Sequence, residues 1–307
     1  MQEPKVCVII INYNGIEYVL DAIDSVQKLL YGNYEIIVVD NCSTDGSQEA
    51  IKKGFPDVRL IVNRENLGSS GGYNRGMRES LTNNDVQYVF LINCDAKADP
   101  DCLKKLVVVA ESDHQIGIVQ PKVLRMDNPH IIDSTGHIFR FGRIIDRGHD
   151  QIDKGQFDNK LEIIGACSAA CLYSRKMIED IGMYDEEYGS NYEDAELSWR
   201  AHNRGWRAKF APEAIVYHKR GGFKKKSEER WRKHYFLSLD SKIMALKRYG
   251  SINQKFLFIL ASIIYPALKS TLRKLMGKSN LGVANFCKRF FRFIFSKKTK
   301  KRGSENV

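Results

Sequence analysis

Carboxylates placed directly after short apolar runs are the first residues in this chain whose types and spacing could do chemistry. Asp40 closes one such run and opens Asp40-Asn41-Cys42-Ser43-Thr44-Asp45-Gly46-Ser47, and Asp95 ends another as part of Asn93-Cys94-Asp95. Glu193 and Asp194 stand side by side ahead of a helical stretch, and His218 closes the last strand-like run before Gly221-Gly222. A carboxylate at a strand end can accept hydrogen bonds from a nucleobase or ribose. It can also hold a hard divalent ion whose remaining ligands are water and phosphate oxygens. One of two adjacent acids can deprotonate a hydroxyl as a general base, and a neutral imidazole can complete a metal site. Each residue also has a plainer use. Asp and Asn make turns, Ser43 or Asp45 can cap the next helix, acids in a first helical turn suit the macrodipole, and a histidine at a strand end can be structural.

A second constellation runs from Asn66 to Gly76, reading Asn-Leu-Gly-Ser-Ser-Gly-Gly-Tyr-Asn-Arg-Gly at the start of a helix. Glycines there allow a ligand to approach the backbone, and a helix N-terminus favours phosphate. The spacing of Gly68, Gly71 and Gly72 does not fit the dinucleotide fingerprint, and the Gly-Lys-Ser/Thr of a P-loop is missing.

These residues need a scaffold that brings strand ends together. Strand-like runs occupy residues 6–11, 34–40, 58–62, 88–92 and 117–123, with helical patterns at 16–30, 46–53, 71–81 and 101–112 between them. Nearly continuous Val/Ile/Leu strands alternating with helices predict a mostly parallel, doubly wound α/β sheet. Such sheets bind ligands at the carboxyl edge of their strands. Periodicity fades over 128–160, which reads as a loop-rich insertion able to shape an acceptor pocket. A buried segment follows at 163–173, then helices near 175–181 and 193–204, and a strand over 208–217 that ends at His218.

Taken in order, strand-Asp40, Asn-x-Gly-x-x-Gly-Gly, strand-Asn-x-Asp95, Glu193-Asp194 and His218 resemble the family 2 glycosyltransferases of GT-A fold, a Rossmann-like doubly wound sheet. The likeness is greatest to rhamnosyltransferase-like and galactofuranosyltransferase-like members and covers about residues 4–222. The opening Ile10-Ile11-Asn12-Tyr13-Asn14, the buried Gly165-Ala166-Cys167, and the run from Glu193 through Arg200 to Gly205-Trp206 add to it. The resemblance implies an inverting transfer from a nucleotide diphosphate sugar, UDP- or dTDP-linked, with Mn2+ or Mg2+ as cofactor. It further implies that Asp40 binds the nucleobase, Asp95 the metal and His218 the metal as second ligand, with Asp194 the catalytic base and Glu193 beside it. Asn12, Asn14, Asn66, Gly68 and Gly72 then belong to the donor site, as do Asn74, Arg75, Asn93 and Cys94. Gly165, Ala166, Cys167 and Arg200 belong to the acceptor site. Two departures matter. The usual Asp-x-Asp is Asn93-Cys94-Asp95 here, which moves Asn93 from metal to sugar or ribose. The Gln-x-x-Arg-Trp of processive members also lacks its Gln in Ser227-Glu228-Glu229-Arg230-Trp231, pointing to one sugar per encounter.

Charge divides the chain. Residues 1–218 hold 24 Lys and Arg against 33 Asp and Glu, whereas 219–302 hold 24 against 3. This predicts an acidic body and a basic helical extension over 223–307; the resemblance implies that the body, 1–222, is the catalytic domain, with a nucleotide-sugar half to about 125 and an acceptor half over about 126–222. Helical patterns continue at 224–249, 253–276 and 282–295. Residues 256–268 form the longest apolar run, shorter than the ~20 residues that span a bilayer. Phe290, Phe291, Phe293 and Phe295 interleave with Lys288, Arg289 and Arg292, a pattern suited to the interface of an anionic membrane. Nucleic acid is the rival polyanion, set aside because of the apolar run; a non-catalytic nucleotide-sugar binder is the rival function. The seven cysteines are odd in number and irregularly spaced, which fits reduced thiols. With no signal-peptide pattern at the start, the expectation is a cytoplasmic protein, peripheral on the inner face of the cell membrane, acting on a lipid-linked glycan acceptor. Oligomerisation is left open.

Overall fold

The structure, a computed structural model, describes residues 3–220 and 228–261; over 228–237 only the backbone is described. The chain opens with β1 (Lys5–Asn12), α1 (Val19–Gln27), β2 (Tyr34–Asp40), α2 (Ser47–Gly54), β3 (Arg59–Val62), α3 (Gly68–Ser80) and β4 (Val86–Asn93). This is the expected alternation of strand and helix. β1 shows why it forms. Its Val and Ile residues are β-branched and buried on both faces, as a central parallel strand requires. Val6, Val8 and Ile10 pack with Val19, Ile23 and Val26 of α1, whereas Cys7, Ile9 and Ile11 pack with Tyr73 and Met77 of α3. The two-residue period of one strand thereby builds two cores, one on each side of the sheet.

The chain continues through β5 (Ala96–Ala98), α4 (Cys102–Ala110), β6 (Ile116–Arg125), β7 (Asn128–Ser134), β8 (His137–Arg140), β9 (Arg143–Asp146), β10 (Glu162–Ile163) and β11 (Ala170–Ser174). Then come α5 (Arg175–Ile181), a 3-10 turn (Glu186–Tyr188), α6 (Glu193–Arg204) and β12 (Arg207–His218). The main sheet runs β3-β2-β1-β4-β11-β6-β12-β10, with β5 beside β12 and β7 beside β6. β1 is parallel to β2 and β4, and β6 to β12, while β11 lies antiparallel between β4 and β6. Register carries the chemistry to one edge: Asn12 lies opposite Asp40, and Ile11 opposite Asn93. Pairing of His218 with Ala96 carries the end of β12 to the residue after Asp95.

One expectation is corrected. Residues 128–160 are not loop-rich throughout, since β7 pairs with β6 and β8–β9 form a hairpin. The strands are short and their apolar residues few, which hid their alternation. The hairpin turns through Phe141 and Gly142, both at positive φ (50° and 72°), between the paired Arg140 and Arg143. That is the backbone a two-residue hairpin needs.

α7 (Glu228–Tyr249) belongs with the preceding elements in one compact unit, Met1–Tyr249; the unit Gly250–Val307 begins with α8 (Ile252–Ile259), opened by a Ser251–Gln254 capping box. The change of charge after residue 218 is therefore not where packing divides the chain. Among the described residues no helix is long and apolar enough to cross a membrane. The expected helix at 282–295, the Phe/Lys/Arg pattern and most of the 256–268 run lie outside the described residues.

Candidate active site

At the carboxyl edge of the sheet lies a cleft of about 520 Å3, lined by Tyr13, Asn66, Gly68, Asn93, Cys94, Asp95, Cys167, Glu193, His218 and Arg220, among others. Of the residues expected at a donor site, Asn66, Gly68, Asn93 and Cys94 reach this cleft. Asn93 Oδ1 accepts a hydrogen bond from the Tyr73 hydroxyl at 2.7 Å, which leaves its amide nitrogen for other partners. Burial first, then the Asp95 charge, push the Cys94 thiol up to about 12, so it is an inert neutral wall.

Asp95 and His218 meet there: Nε2 of His218 is 3.2 Å from Oδ1 of Asp95. On its other side, Nδ1 of His218 is 2.8 Å from Oδ2 of the fully buried Asp133, whose other oxygen takes the Arg220 guanidinium. Burial disfavours charge on His218, yet its hydrogen bonds to Asp133 and Asp95 outweigh burial and push it up to about 9. For Asp133 burial likewise opposes ionisation, but His218 and Arg220 hold the carboxyl down to about 2. A carboxylate behind a histidine fixes its tautomer and aims its far nitrogen, as metal-ligating histidines require. Among the described residues no three His, Cys, Asp or Glu side chains could hold an ion between them. The donor set that fits is Asp95 and His218, a cation replacing the proton that His218 holds toward Asp95, with phosphate and water oxygens completing the shell of a hard divalent cation. Asp133 and Arg220 escaped the sequence reading because Asp133 lies 85 residues from its histidine.

The two adjacent acids diverge. Consecutive helical residues point about 100° apart, and Glu193 lines the first cleft while Asp194 lines a second cleft of about 680 Å3. Burial, and after it the Asp194 charge, push the Glu193 carboxyl well above the usual carboxylate range. Asp194 is held differently, by the backbone N–H of Ser168 at 3.0 Å and that of Ala195 at 2.7 Å, with His137 Nε2 at 4.0 Å. Gly165 lets α6 lie this close: a Cβ there would meet Ser198 Oγ at 1.9 Å. Ala166 is fully buried beneath the site and Cys167 lines the first cleft, its N–H bonded to Gln120 Oε1 at 2.6 Å.

Several residues expected at the ligand have partners within the protein. Asp40 is fully buried, its oxygens taken by Asn12 at 2.7 Å and by Gln48 and Ser43 at 2.8 Å each. Asn14 accepts from the Thr44 N–H at 2.8 Å. These bonds knit the ends of β1 and β2 beneath the cleft. Gly72 is a packing glycine, because a Cβ would lie 2.4 Å from Ile11 Cδ1. Asn74 ties α3 to Tyr184 and Glu186 (2.9 Å each), and Arg75 is exposed outside the cleft. Nor are the first amides of α3 open to phosphate: Gly68, Ser69 and Ser70 donate to Asn66 Oδ1, Ser190 Oγ and Gly189 O at 2.8–2.9 Å. Arg200 is likewise withdrawn from the acceptor side. Its guanidinium pairs with Glu196 at 2.9 Å and donates to the carbonyls of Ile181, Gly182 and Met183.

Comparison with known proteins agrees with this geometry. The chain is 25% identical over 211 residues to the poly-beta-1,6-N-acetyl-D-glucosamine synthase of Staphylococcus aureus, covering 67% of this chain and 47% of that one. It is 25% identical over 197 residues to the low-salt glycan biosynthesis hexosyltransferase Agl10 of Haloferax volcanii, 63% of this chain and 60% of that one. The chain thus spans about half the length of the first of these relatives. A mannosyltransferase from Pyrobaculum calidifontis, solved with GDP-Man and Mn2+, superposes with a TM-score of 0.62 at 18% identity, covering 96% of this chain and 82% of that one. That likeness shows the expected GT-A fold. The family model of glycosyl transferase family 2 matches residues 7–182, which hold the sheet edge from Asn12 to Cys167, and the chain belongs to that family.

Proposed function

We propose that this protein is an inverting, non-processive glycosyltransferase that moves one hexose from a nucleotide diphosphate sugar to an acceptor hydroxyl. The observation that carries the reading is the divergence of Glu193 and Asp194 into two adjoining clefts, with Asp95 and His218 in the first. The donor lies in the first cleft, its base beside the exposed ring of Tyr13 and its sugar toward Asn93 and Glu193. The acceptor hydroxyl enters from the second. Asp194 takes the hydroxyl proton as the oxygen bonds to the anomeric carbon, and the bond from that carbon to the diphosphate breaks with its electron pair leaving on the diphosphate. Attack from the side opposite the leaving group inverts the anomeric centre. A divalent ion bound by Asp95 and His218, Mn2+ or Mg2+, would supply positive charge to the diphosphate as it departs. Glu193, kept neutral, can donate a hydrogen bond to the sugar.

The test is donor hydrolysis by the full-length chain across UDP-, dTDP- and GDP-sugars, rhamnose and galactofuranose donors included, with Mn2+ or Mg2+. Turnover of one donor, abolished by EDTA and restored by the ion, is expected. Full activity in EDTA refutes the metal role, and no turnover of any donor favours a non-catalytic binder. We further propose that the basic residues of 219–302 hold the protein at an anionic membrane surface where a lipid-linked glycan is presented. Co-sedimentation with anionic but not neutral vesicles, weakened by salt, is the expected result. Equal binding to both vesicle types refutes it.

A further inference from the structure

The second cleft holds more cations than carboxylates among the described residues. It is lined by Arg140, Arg143, Arg147, Arg220 and Lys242, against Asp146 and Asp194. Two of the cations are spoken for. Arg220 pairs with Asp133, and Arg147 is buried on the carbonyls of Thr135 and Lys160 and between the rings of Phe157 and Phe210. Arg143 and Lys242 are not. Both are half-buried, and among the described residues neither has a carboxylate within 4 Å. Among the described residues Nε of Arg143 is a buried donor without a hydrogen-bond partner, and the Lys242 ammonium lies over the face of Tyr192, 5.8 Å from the ring centre. Tyr192 also fixes Arg143 in place, since its hydroxyl bonds both the N–H and the carbonyl of Ile144, at 2.7 and 3.2 Å. The hairpin, the residue that precedes α6, and α7 thus converge around two like charges in one cleft. Burial first, and then the Arg143 charge, press the Lys242 ammonium below its usual range. Half-burying two adjacent cations is unfavourable unless a counter-charge arrives.

We propose that Arg143 and Lys242 bind a phosphate group carried by the acceptor, a proposal that rests on assigning this cleft to the acceptor. A planar guanidinium fork and a mobile ammonium suit the several oxygens of a phosphate, and its charge offsets both cations. Because Asp194 lines the same cleft, the phosphate stands on the acceptor itself, near the hydroxyl that reacts. Two sources share this chemistry: the diphosphate of a lipid-linked sugar, and a phosphodiester within a polymeric acceptor.

Isothermal titration of the full-length chain with glycerol phosphate, with glycerol as the neutral control, reads the site directly. Glycerol phosphate is expected to bind and glycerol not. Arg143→Gln and Lys242→Gln should each weaken glycerol phosphate about tenfold, the loss of one charged hydrogen bond. Arg143→Lys should recover part of that loss, and UDP or GDP binding in the first cleft should persist as evidence of folding. Geranyl diphosphate and glycerophosphoglycerol then compete for the site. Displacement by the first assigns the lipid diphosphate, and by the second the phosphodiester. Equal binding of glycerol, or glycerol phosphate affinity unmoved by both Gln substitutions, overturns the proposal. If phosphate binds as described but no nucleotide-sugar is turned over, the transferase reading fails and the anion site stands.

Discussion

Replacing Gly165 by Ala places one methyl group where the structure has no room for it. The added Cβ would fall 1.9 Å from Oγ and 2.0 Å from Cβ of Ser198, and 3.0 Å from its Cα. These are backbone-anchored atoms of α6, so no rotamer change removes the contact, and the helix must move. Overpacking of this kind costs roughly 1–3 kcal/mol, about 2–4 °C in Tm per kcal/mol for a domain of this size. The displaced helix carries Asp194, and a shift approaching 1 Å can cost about 100-fold in rate, so turnover should fall further than stability. Removing the other side of the clash tests the cause. Ser198→Gly alone loses the Ser198 bonds to Asp194 O (2.7 Å) and His137 Nδ1 (3.2 Å) and adds about 1 kcal/mol for glycine within a helix. In the Gly165→Ala/Ser198→Gly double variant the new methyl occupies the vacated space. Denaturant unfolding of all four proteins should therefore give a stabilising coupling of about 1–2 kcal/mol. Strict additivity, or a Gly165→Ala protein as stable and active as the parent, would refute the argument that this glycine sets the distance between α6 and the acceptor side.

Three further outcomes follow from the same geometry. Asp194→Asn, which keeps shape but cannot take a proton, should lower turnover by roughly 10²–10⁴ with nucleotide affinity retained; Glu193→Gln, a swap of one neutral group for another, should be far milder, and the reverse ranking in steady-state kinetics would move the base to Glu193. Asp133→Asn should weaken Mn2+ binding in the presence of nucleotide by about 10–100-fold through the loosened His218, read by metal titration, and unchanged affinity would deny Asp133 that positioning role. Arg200→Lys should lower stability by about 2 kcal/mol, because a lysine cannot span Glu196 and three carbonyls, with the acceptor KM unchanged; a raised KM at full stability would return Arg200 to the acceptor site.

The sequence revealed the scaffold because the strands nearest the site are continuous apolar runs of β-branched residues. β1, β2 and β4 follow from residues 5–12, 34–40 and 86–93 almost alone. It did not reveal β11 as the antiparallel strand between β4 and β6, since pairing direction leaves no mark on a five-residue buried run. The hairpin of Arg140 and Arg143 was hidden for a related reason: short, half-exposed strands carry little alternation. The polar residues at the strand ends do gather in one cluster. The carboxylate of Asp40 is bonded to Asn12, Ser43 and Gln48 while Asn12 Oδ1 stays without a partner, and a sequence shows the donors and acceptors of such a set without showing which of them pair.

Partnerships across long chain separations were the least visible. Ser190 caps the first turn of α3 from 121 residues away, occupying amides that a local reading offers to phosphate. Asp133 orients His218 from 85 residues away. Asp133 and Arg143 come from the stretch 128–160, where periodicity fades, and Ser190 from the loop just before α6. The repeating sheet brings the strand ends to one edge, and this irregular stretch supplies groups that line the clefts there. Glu193 and Asp194 sit at the junction, one facing each cleft. Their adjacency in sequence reads as a helix cap with one of the pair a general base; a turn of about 100° between them separates the two carboxylates into different clefts, where burial raises that of Glu193.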